Sequence, residues 1–275
     1  MSYNLWFGGT KVNDYHNKQV RFLTDSGVDI VGVQESSGGH AKRLGEALGW
    51  DYWQGDDVGI ISRYPIVEKY PASGVGGSVR IALDQDLEIN VWNVHLGYDP
   101  YGPYDFCFSN MTREQVLNRE SISGRTEQIK QIIKEMEPQL ANADRIPVIL
   151  TGDFNAPSHL DWTNFTRSLH CDVGSFDWPT SKYPIAAGMT DSFREVHRNP
   201  RTEPGITWSP IYLTNELRPE PKDRIDFIYK KGKHLRAYKS ETVVAGKPRP
   251  EPNHQDNEWT SDHAAVNTIF KLRMS

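Results

Sequence analysis

Short apolar runs that each end in a carboxylate, an amide or an imidazole limit what this chain can fold into more than any other feature of its sequence. Val28 to Val33 (VDIVGV) reads as a buried strand and ends in Gln34-Glu35. Val79 to Leu83 and Leu87 to Val94 read as a hairpin around Asp84-Gln85-Asp86, and the second arm runs into His95. Ile146 to Leu150 delivers Gly152-Asp153-Phe154-Asn155, Ile225 to Tyr229 carries Asp226 near its start, and Ala264 to Leu272 begins just after Ser261-Asp262-His263. Gly59 to Ile66 is one further run, stopped by Pro65. Between the runs, Arg125 to Glu137 places Ile129, Ile132, Ile133 and Met136 on one helical face, with Ser123 as N-cap and Pro138 as the stop. His40 to Leu48 and Asp14 to Leu23 read as two more helices. Helices and strands alternate early and strands dominate later, which points to mixed sheets sandwiched by helices.

Composition removes several classes of function. The formal charge of −5 argues against a chain built to wrap nucleic acid, because neutralising phosphates takes clustered Lys and Arg. It leaves room for a local basic groove. No apolar run approaches the roughly 18 residues that span a bilayer. The opening MSYNLWFGG has neither the basic nor the apolar region of a signal peptide. Cys107 and Cys171 are too far apart for a zinc ribbon or a CxxC pair, while one disulfide between loops and two idle thiols both fit. There is no GxxxxGK[ST], no GxSxG elbow and no HExxH helix, and Gly74 to Ser78 reads as a turn before a strand.

What remains is the set Asn4, Glu35, His95, Asp153, Asn155, Asp226, Asp262 and His263, each at the end of a run. If the runs share sheets, their ends share a rim, and these groups meet in one cleft. Hard oxygen ligands with imidazoles and no thiolate suit Mg²⁺ or Mn²⁺ better than Zn²⁺. Such a site suits metal-assisted hydrolysis of a phosphate ester. Taken singly, each residue has a plainer reading. Glu35 fits a helix start, Asp153 a turn, Asp226 an ion pair with Arg224, and His95 a satisfied core histidine. The set in this order outweighs those readings.

Ser2-Tyr3-Asn4, Val33-Gln34-Glu35, Asn93-Val94-His95-Leu96, Gly152-Asp153-Phe154-Asn155, Arg224-Ile225-Asp226-Phe227 and Ser261-Asp262-His263 resemble the ordered motifs of the endonuclease/exonuclease/phosphatase (DNase I-like) superfamily. That group includes pancreatic-type DNase, abasic-site endonucleases, neutral sphingomyelinases and inositol polyphosphate 5-phosphatases. The resemblance implies an α/β fold, a four-layer α/β sandwich with two central mixed β-sheets flanked by helices, over residues 1–275 as one catalytic domain. It also implies roles. Glu35 would be the main Mg²⁺ ligand, with Asp262 as second contributor and Asn4 on the metal side. Asp153 would orient or activate the attacking water, and Asn155 and Asn4 would hold that water, the phosphate or the metal's water shell. His95 and His263 would contact the phosphoryl group, and Asp226 would hold one imidazole in its productive tautomer. Only Met1-Ser2-Tyr3 precede Asn4, where the family has a full strand. Either the strand is short or upstream residues were removed, which admits a secreted or periplasmic protein stripped of its leader.

Substrate has to be read from the loops, since fold and chemistry are shared across such a family. Tyr98 to Glu120 and Ser158 to Met189 read as long aromatic-rich loops with few cations. Aromatic walls of this kind suit a small or amphiphilic non-nucleic phosphoester, although the same rings could simply pack the loops down. Arg63, Tyr98 and Trp208 are the candidates for substrate contact, and Arg63 and Arg125 each read equally as a phosphate contact or as structural. The leading expectation is a monomeric metal-dependent phosphodiesterase or phosphatase, with no strong sign of nucleic acid and no transmembrane segment. The alternatives are a DNase-like nuclease and a non-catalytic or carbohydrate-binding module. The last is disfavoured because every expected catalytic position is occupied.

Overall fold

The computed structural model describes residues 1–71 and 74–272. In chain order the elements are β1 (Ser2–Asn4), α1 (Tyr15–Asp25), β2 (Ile30–Gln34), α2 (His40–Leu48), β3 (Asp51–Gln54), β4 (Gly59–Ser62), β5 (Ile66–Lys69), β6 (Gly76–Asp84), β7 (Leu87–His95), α3 (Gly102–Cys107), α4 (Arg113–Ile122) and α5 (Arg125–Ala141). After them come β8 (Val148–Asp153), α6 (Pro179–Ala186), β9 (Thr190–Asp191), α7 (Ser192–Val196), β10 (Thr214–Asn215), β11 (Arg218–Pro219), β12 (Asp226–Lys231), β13 (Leu235–Val243) and β14 (Ala265–Leu272).

Two six-stranded mixed sheets form the centre. The first runs β13-β14-β1-β2-β4-β3 and the second β5-β6-β7-β8-β12-β9. In each, one parallel pair (β1/β2 and β7/β8) sits among antiparallel neighbours. Three apolar cores separate four layers. Leu23 of α1 and Ala41 and Leu44 of α2 pack on one face of the first sheet with Val31, Val33 and Ala265. Ile60, Val91, Ile149, Ile228 and Val266 fill the space between the sheets. Ile129, Ile132 and Met136 of α5 cover the outer face of the second sheet with Val94, Leu150 and Phe227. Each of the larger side chains, Val, Leu, Ile, Phe and Met, contributes roughly 1.5–3 kcal/mol on burial, so the four-layer order follows from having two sheets with two apolar faces each.

The expected sandwich is therefore present, with several local differences. The run Gly59 to Ile66 is two strands in two different sheets, because Pro65 has no N–H for a ladder and the chain crosses between sheets there. Helix α5 continues past Pro138 to Ala141 and is preceded by Gly124 rather than capped by Ser123. Proline in the final turn removes only its own hydrogen bond, and burial of Leu140 holds that turn in place. Strands β3 and β13 are edges of the first sheet, and β13 is only partly buried, so neither carries a buried-strand pattern. The segment read as one long loop after His95 contains α3 and α4. Thr112 and Gln115 cap α4 reciprocally.

Candidate active site

Register in the second sheet does most of the placing. His95 on β7 lies opposite Asp153 on β8, and Asp226 on β12 lies opposite the same Asp153. Opposed residues point to one face of a sheet, so the three side chains stand on a single rung. The first sheet adds its own ends. Asn4 pairs with Gln34, and the next residue, Glu35, takes a left-handed backbone at φ 53° that turns its carboxylate out of the strand. Phe7 N–H donates to Glu35 Oε2 (2.6 Å) and Asn4 Nδ2 donates to Oε1 (3.2 Å), which fixes that carboxylate. His263 precedes β14. Its N–H donates to Ser261 Oγ (3.0 Å), whose hydroxyl in turn donates to Asn4 O (2.6 Å).

The centre of this arrangement is Asp153, which is buried. Its Oδ1 accepts from Asn155 N–H (2.8 Å) and its Oδ2 from Asn4 Nδ2 (2.9 Å). The same Oδ2 lies 3.6 Å from His95 Nε2 and 3.7 Å from His263 Nε2. Each imidazole is held from behind by a carboxylate. His95 Nδ1 donates to Asp57 Oδ2 (2.5 Å) and His263 Nδ1 to Asp226 Oδ2 (2.9 Å). Two carboxylate–imidazole pairs thus aim their outer nitrogens at one aspartate.

The charges follow from this geometry. Burial pulls the His95 imidazole down, but the Asp57 hydrogen bond and the charges of Asp153, Asp57 and Glu35 more than offset it and raise it to about 9. Burial likewise opposes charge on His263, and the charges of Asp226 and Asp153 hold it well above the usual histidine range. Burial raises the Asp226 carboxyl, against the charge and hydrogen bond of His263 and with help from the charge of Asp153. At neutral pH both outer nitrogens are N–H donors. Burial pushes Asp262 up to about 7, against the pull of His263 and with help from Glu35 and Asp153.

The donor set suits a hard divalent cation. Glu35 and Asp262 both line the cleft and repel each other, and Asp262 Oδ1 is buried without a hydrogen-bond partner. Asp153, Asp226 and His263 also bring ligand-type atoms within 4.8 Å of one another. However, His263 Nδ1 and Asp226 Oδ2 are already committed to each other.

Of the residues singled out from sequence, Glu35, His95, Tyr98, Asp153, Asn155, Trp208, Asp262 and His263 all line one cleft of about 930 Å³. Asn4 and Asp226 stand behind it. Asn4 Oδ1 accepts from Trp6 N–H (2.9 Å), and its amide hydrogens bridge Glu35 and Asp153. Arg63 is elsewhere. Its Nε donates to Val28 O (2.8 Å), its guanidinium lies 4.5 Å over the Trp50 ring, and it does not line the cleft. Its role is packing rather than substrate contact. Arg125 is fully buried, bonded to Ser123 Oγ and to the carbonyls of Asn155 and Pro100. It pins the loop after β7 to the loop after β8.

The aromatic residues divide into two groups. Tyr98, Tyr101 and Tyr104 line the cleft, joined by Trp6, Trp208 and Tyr212. Phe106, Trp162, Phe176 and Trp178 form a separate buried cluster under the loops, so the second long segment is packing and not a substrate wall. Cys107 and Cys171 are bonded to each other and tie the two segments together. Asp57 was not visible in the sequence. It lies in the polar turn before β4, far along the chain from His95, and carries no strand-end signature.

A family model described as the endonuclease/exonuclease/phosphatase family matches residues 1–263. An uncharacterized protein of Caenorhabditis elegans is 31% identical over 280 residues, covering 97% of this chain and 88% of that protein. Among solved structures, an endonuclease/exonuclease/phosphatase family protein from Bacteroides thetaiotaomicron superposes with a TM-score of 0.61 at 18% identity, covering 99% of this chain and 94% of the other. Truncated TDP2 of Caenorhabditis elegans gives 0.61 at 16% identity over 98% and 96% of the two chains. A mannosyl-6-phosphatase of Bacteroides thetaiotaomicron gives 0.59 at 18% identity over 98% and 97%. At these identities the structural likeness speaks for the fold alone.

Proposed function

The chain belongs to the endonuclease/exonuclease/phosphatase family, whose members are phosphoester hydrolases, and from that premise we propose that it is a metal-dependent hydrolase of a small or amphiphilic non-nucleic phosphoester. The observation that carries this reading is the convergence of His95 Nε2 and His263 Nε2 on Asp153, each imidazole backed by its own carboxylate. In this reading the phosphoryl group sits at the two imidazolium N–H groups, which meet the charge that develops on its oxygens. Asp153 takes the proton of the attacking water as the new P–O bond forms. The old P–O bond breaks, and one imidazolium gives its proton to the departing oxygen. Asn155 and Asn4 hold Asp153 in place through their N–H donors. A divalent cation, Mg²⁺ or Mn²⁺, held by Glu35 and Asp262 would neutralise the phosphoryl oxygens.

The whole chain acts as one monomeric catalytic unit. It works in an oxidising compartment, secreted or periplasmic, a reading supported by the Cys107–Cys171 bond. Turnover of bis(p-nitrophenyl) phosphate tests the central claim. EDTA should abolish it, Mg²⁺ or Mn²⁺ should restore it, and Asp153→Asn should cost at least ~10²-fold. Full activity of a metal-stripped sample overturns the metal requirement, and near-normal Asp153→Asn turnover overturns the site. Plasmid DNA incubated in parallel separates the nuclease reading, which requires nicking at low enzyme.

A further inference from the structure

The wall of the cleft beyond the Asp153 rung has a chemistry of its own. Among the described residues, every charged side chain lining the cleft other than His95 and His263 is a carboxylate. Three of the six aromatic donors that line it are spent on carboxylates. Tyr104 OH (2.5 Å) and Trp208 Nε1 (2.7 Å) both donate to Oε1 of Glu220, which is only 5% exposed, and Tyr101 OH donates to buried Asp223 (3.1 Å). Tyr101 and Tyr104 meet edge to face at 4.8 Å, and Trp208 and Tyr212 lie 5.4 Å apart. With the polar hydrogens of Tyr101, Tyr104 and Trp208 spent in this way, these three rings offer a ligand their π faces, and the Glu220 carboxylate behind Tyr104 and Trp208 adds to the negative potential of those faces. Both Glu220 bonds fall on one oxygen, so Oε2 takes part in neither. Beyond His95 and His263, a second phosphate would meet no cationic side chain among the described lining residues and several acids. At the Tyr101, Tyr104 and Trp208 wall a ligand finds no free aromatic donor, and a cation without hydrogen-bond needs suits both these rings and the acids.

We propose that this cleft selects phosphoesters whose non-reacting part carries an alkylammonium group, seated against Tyr104 and Trp208 and the Glu220 carboxylate that joins them. The inference rests on the phosphoester reading of the same cleft and adds the substrate class to it. The ammonium is a spectator. Water adds to phosphorus, the P–O bond to one ester oxygen breaks, and that oxygen leaves protonated. Glu220 is a specificity-determining residue with no part in bond making.

The test begins with binding to metal-free protein, read by tryptophan fluorescence at constant ionic strength. Tetramethylammonium and choline should bind saturably, and 3,3-dimethylbutanol, the uncharged isostere of choline, should bind at least tenfold more weakly. Equal binding of choline and its isostere overturns the proposal without any variant. Glu220→Gln keeps an acceptor for both ring donors and removes the charge, and it should weaken choline binding about tenfold. It should also lower by about tenfold the kcat/KM ratio of p-nitrophenyl phosphorylcholine over bis(p-nitrophenyl) phosphate. Unchanged binding and ratio overturn the role of Glu220. Cleavage of soluble p-nitrophenyl phosphorylcholine or of choline-phospholipid vesicles supports the class, and the faster of the two assigns its source. Turnover of the neutral diester without choline preference overturns this inference alone. Choline binding with no ester turned over overturns the hydrolase reading instead.

Discussion

Replacing Asp57 by Asn tests the electrostatics of the site where its geometry is simplest. The amide keeps the shape of the carboxyl and an oxygen for His95 Nδ1–H, and Ser37 Oγ, now 2.9 Å from Asp57 Oδ1, retains a polar neighbour. Only the charge is lost. An opposite charge in contact shifts an imidazole by roughly 1–3 units, and because the Asp57 side chain is 46% exposed, screening places this case near ~1.5. Asp153 and Glu35 still face His95, so its pKa should fall from about 9 only part of the way to the ordinary 6.5. At pH 8.5 the imidazolium fraction then drops from about three-quarters to about a tenth, roughly an eightfold loss of kcat/KM, against less than twofold at pH 7. The assays are the pH profile of ester turnover and an NMR titration of the His95 ring in metal-free protein. The stability effect has a defined direction too. A raised histidine contributes stability that is fully present below pH 6.5 and lost as pH rises through 9, while the depressed Asp57 carboxyl loses its share only in strong acid. The variant should therefore be most destabilised in mildly acidic solution, up to pH 6.5, and match the parent above pH 9. A basic limb that does not move, or an equal rate loss at pH 7 and 8.5, refutes the electrostatic role.

Two predictions concern the scaffold. Asp161 is buried between Arg194 (2.6 Å) and Arg224 (2.9 Å), so Asp161→Asn should destabilise the fold by about 3–5 kcal/mol in urea unfolding, and a change within ~1 kcal/mol would mean the network is dispensable. Glu120 is raised to about 7 by burial, only partly countered by Arg125, so its contribution to stability is present below pH 4.5 and lost as pH rises through 7. Relative to Glu120→Gln, the parent should therefore lose on the order of 3 kcal/mol between pH 4 and pH 8, and parallel curves would contradict that burial cost.

The sequence by itself determined the parts of this protein that are local. A strand pattern followed at once by Glu35, His95 or Asp153 is legible because burial fixes the strand, and the residue after its last apolar position is the first free to be polar. The helix over His40–Leu48 is legible for the same reason, its apolar face lying within one segment. The capping pair Thr112 and Gln115 marked α4 just as openly, although the aromatic content of that segment reads as a loop. Tertiary structure decided everything that depends on which strand lies beside which. Only the pairing of β7, β8 and β12 puts His95, Asp153 and Asp226 on one rung. Only the approach of the turn before β4 to the end of β7 gives His95 its Asp57. The same holds for the aromatic side chains, since nothing in their spacing separates Tyr104, at the cleft, from Phe106, two residues on and buried in another cluster. Arg63 reads from sequence as either a phosphate contact or structural, and its place over Trp50 decides for packing. Hydrophobic periodicity records which way a side chain faces its own element, and what it meets there is set by contacts between residues distant in the chain.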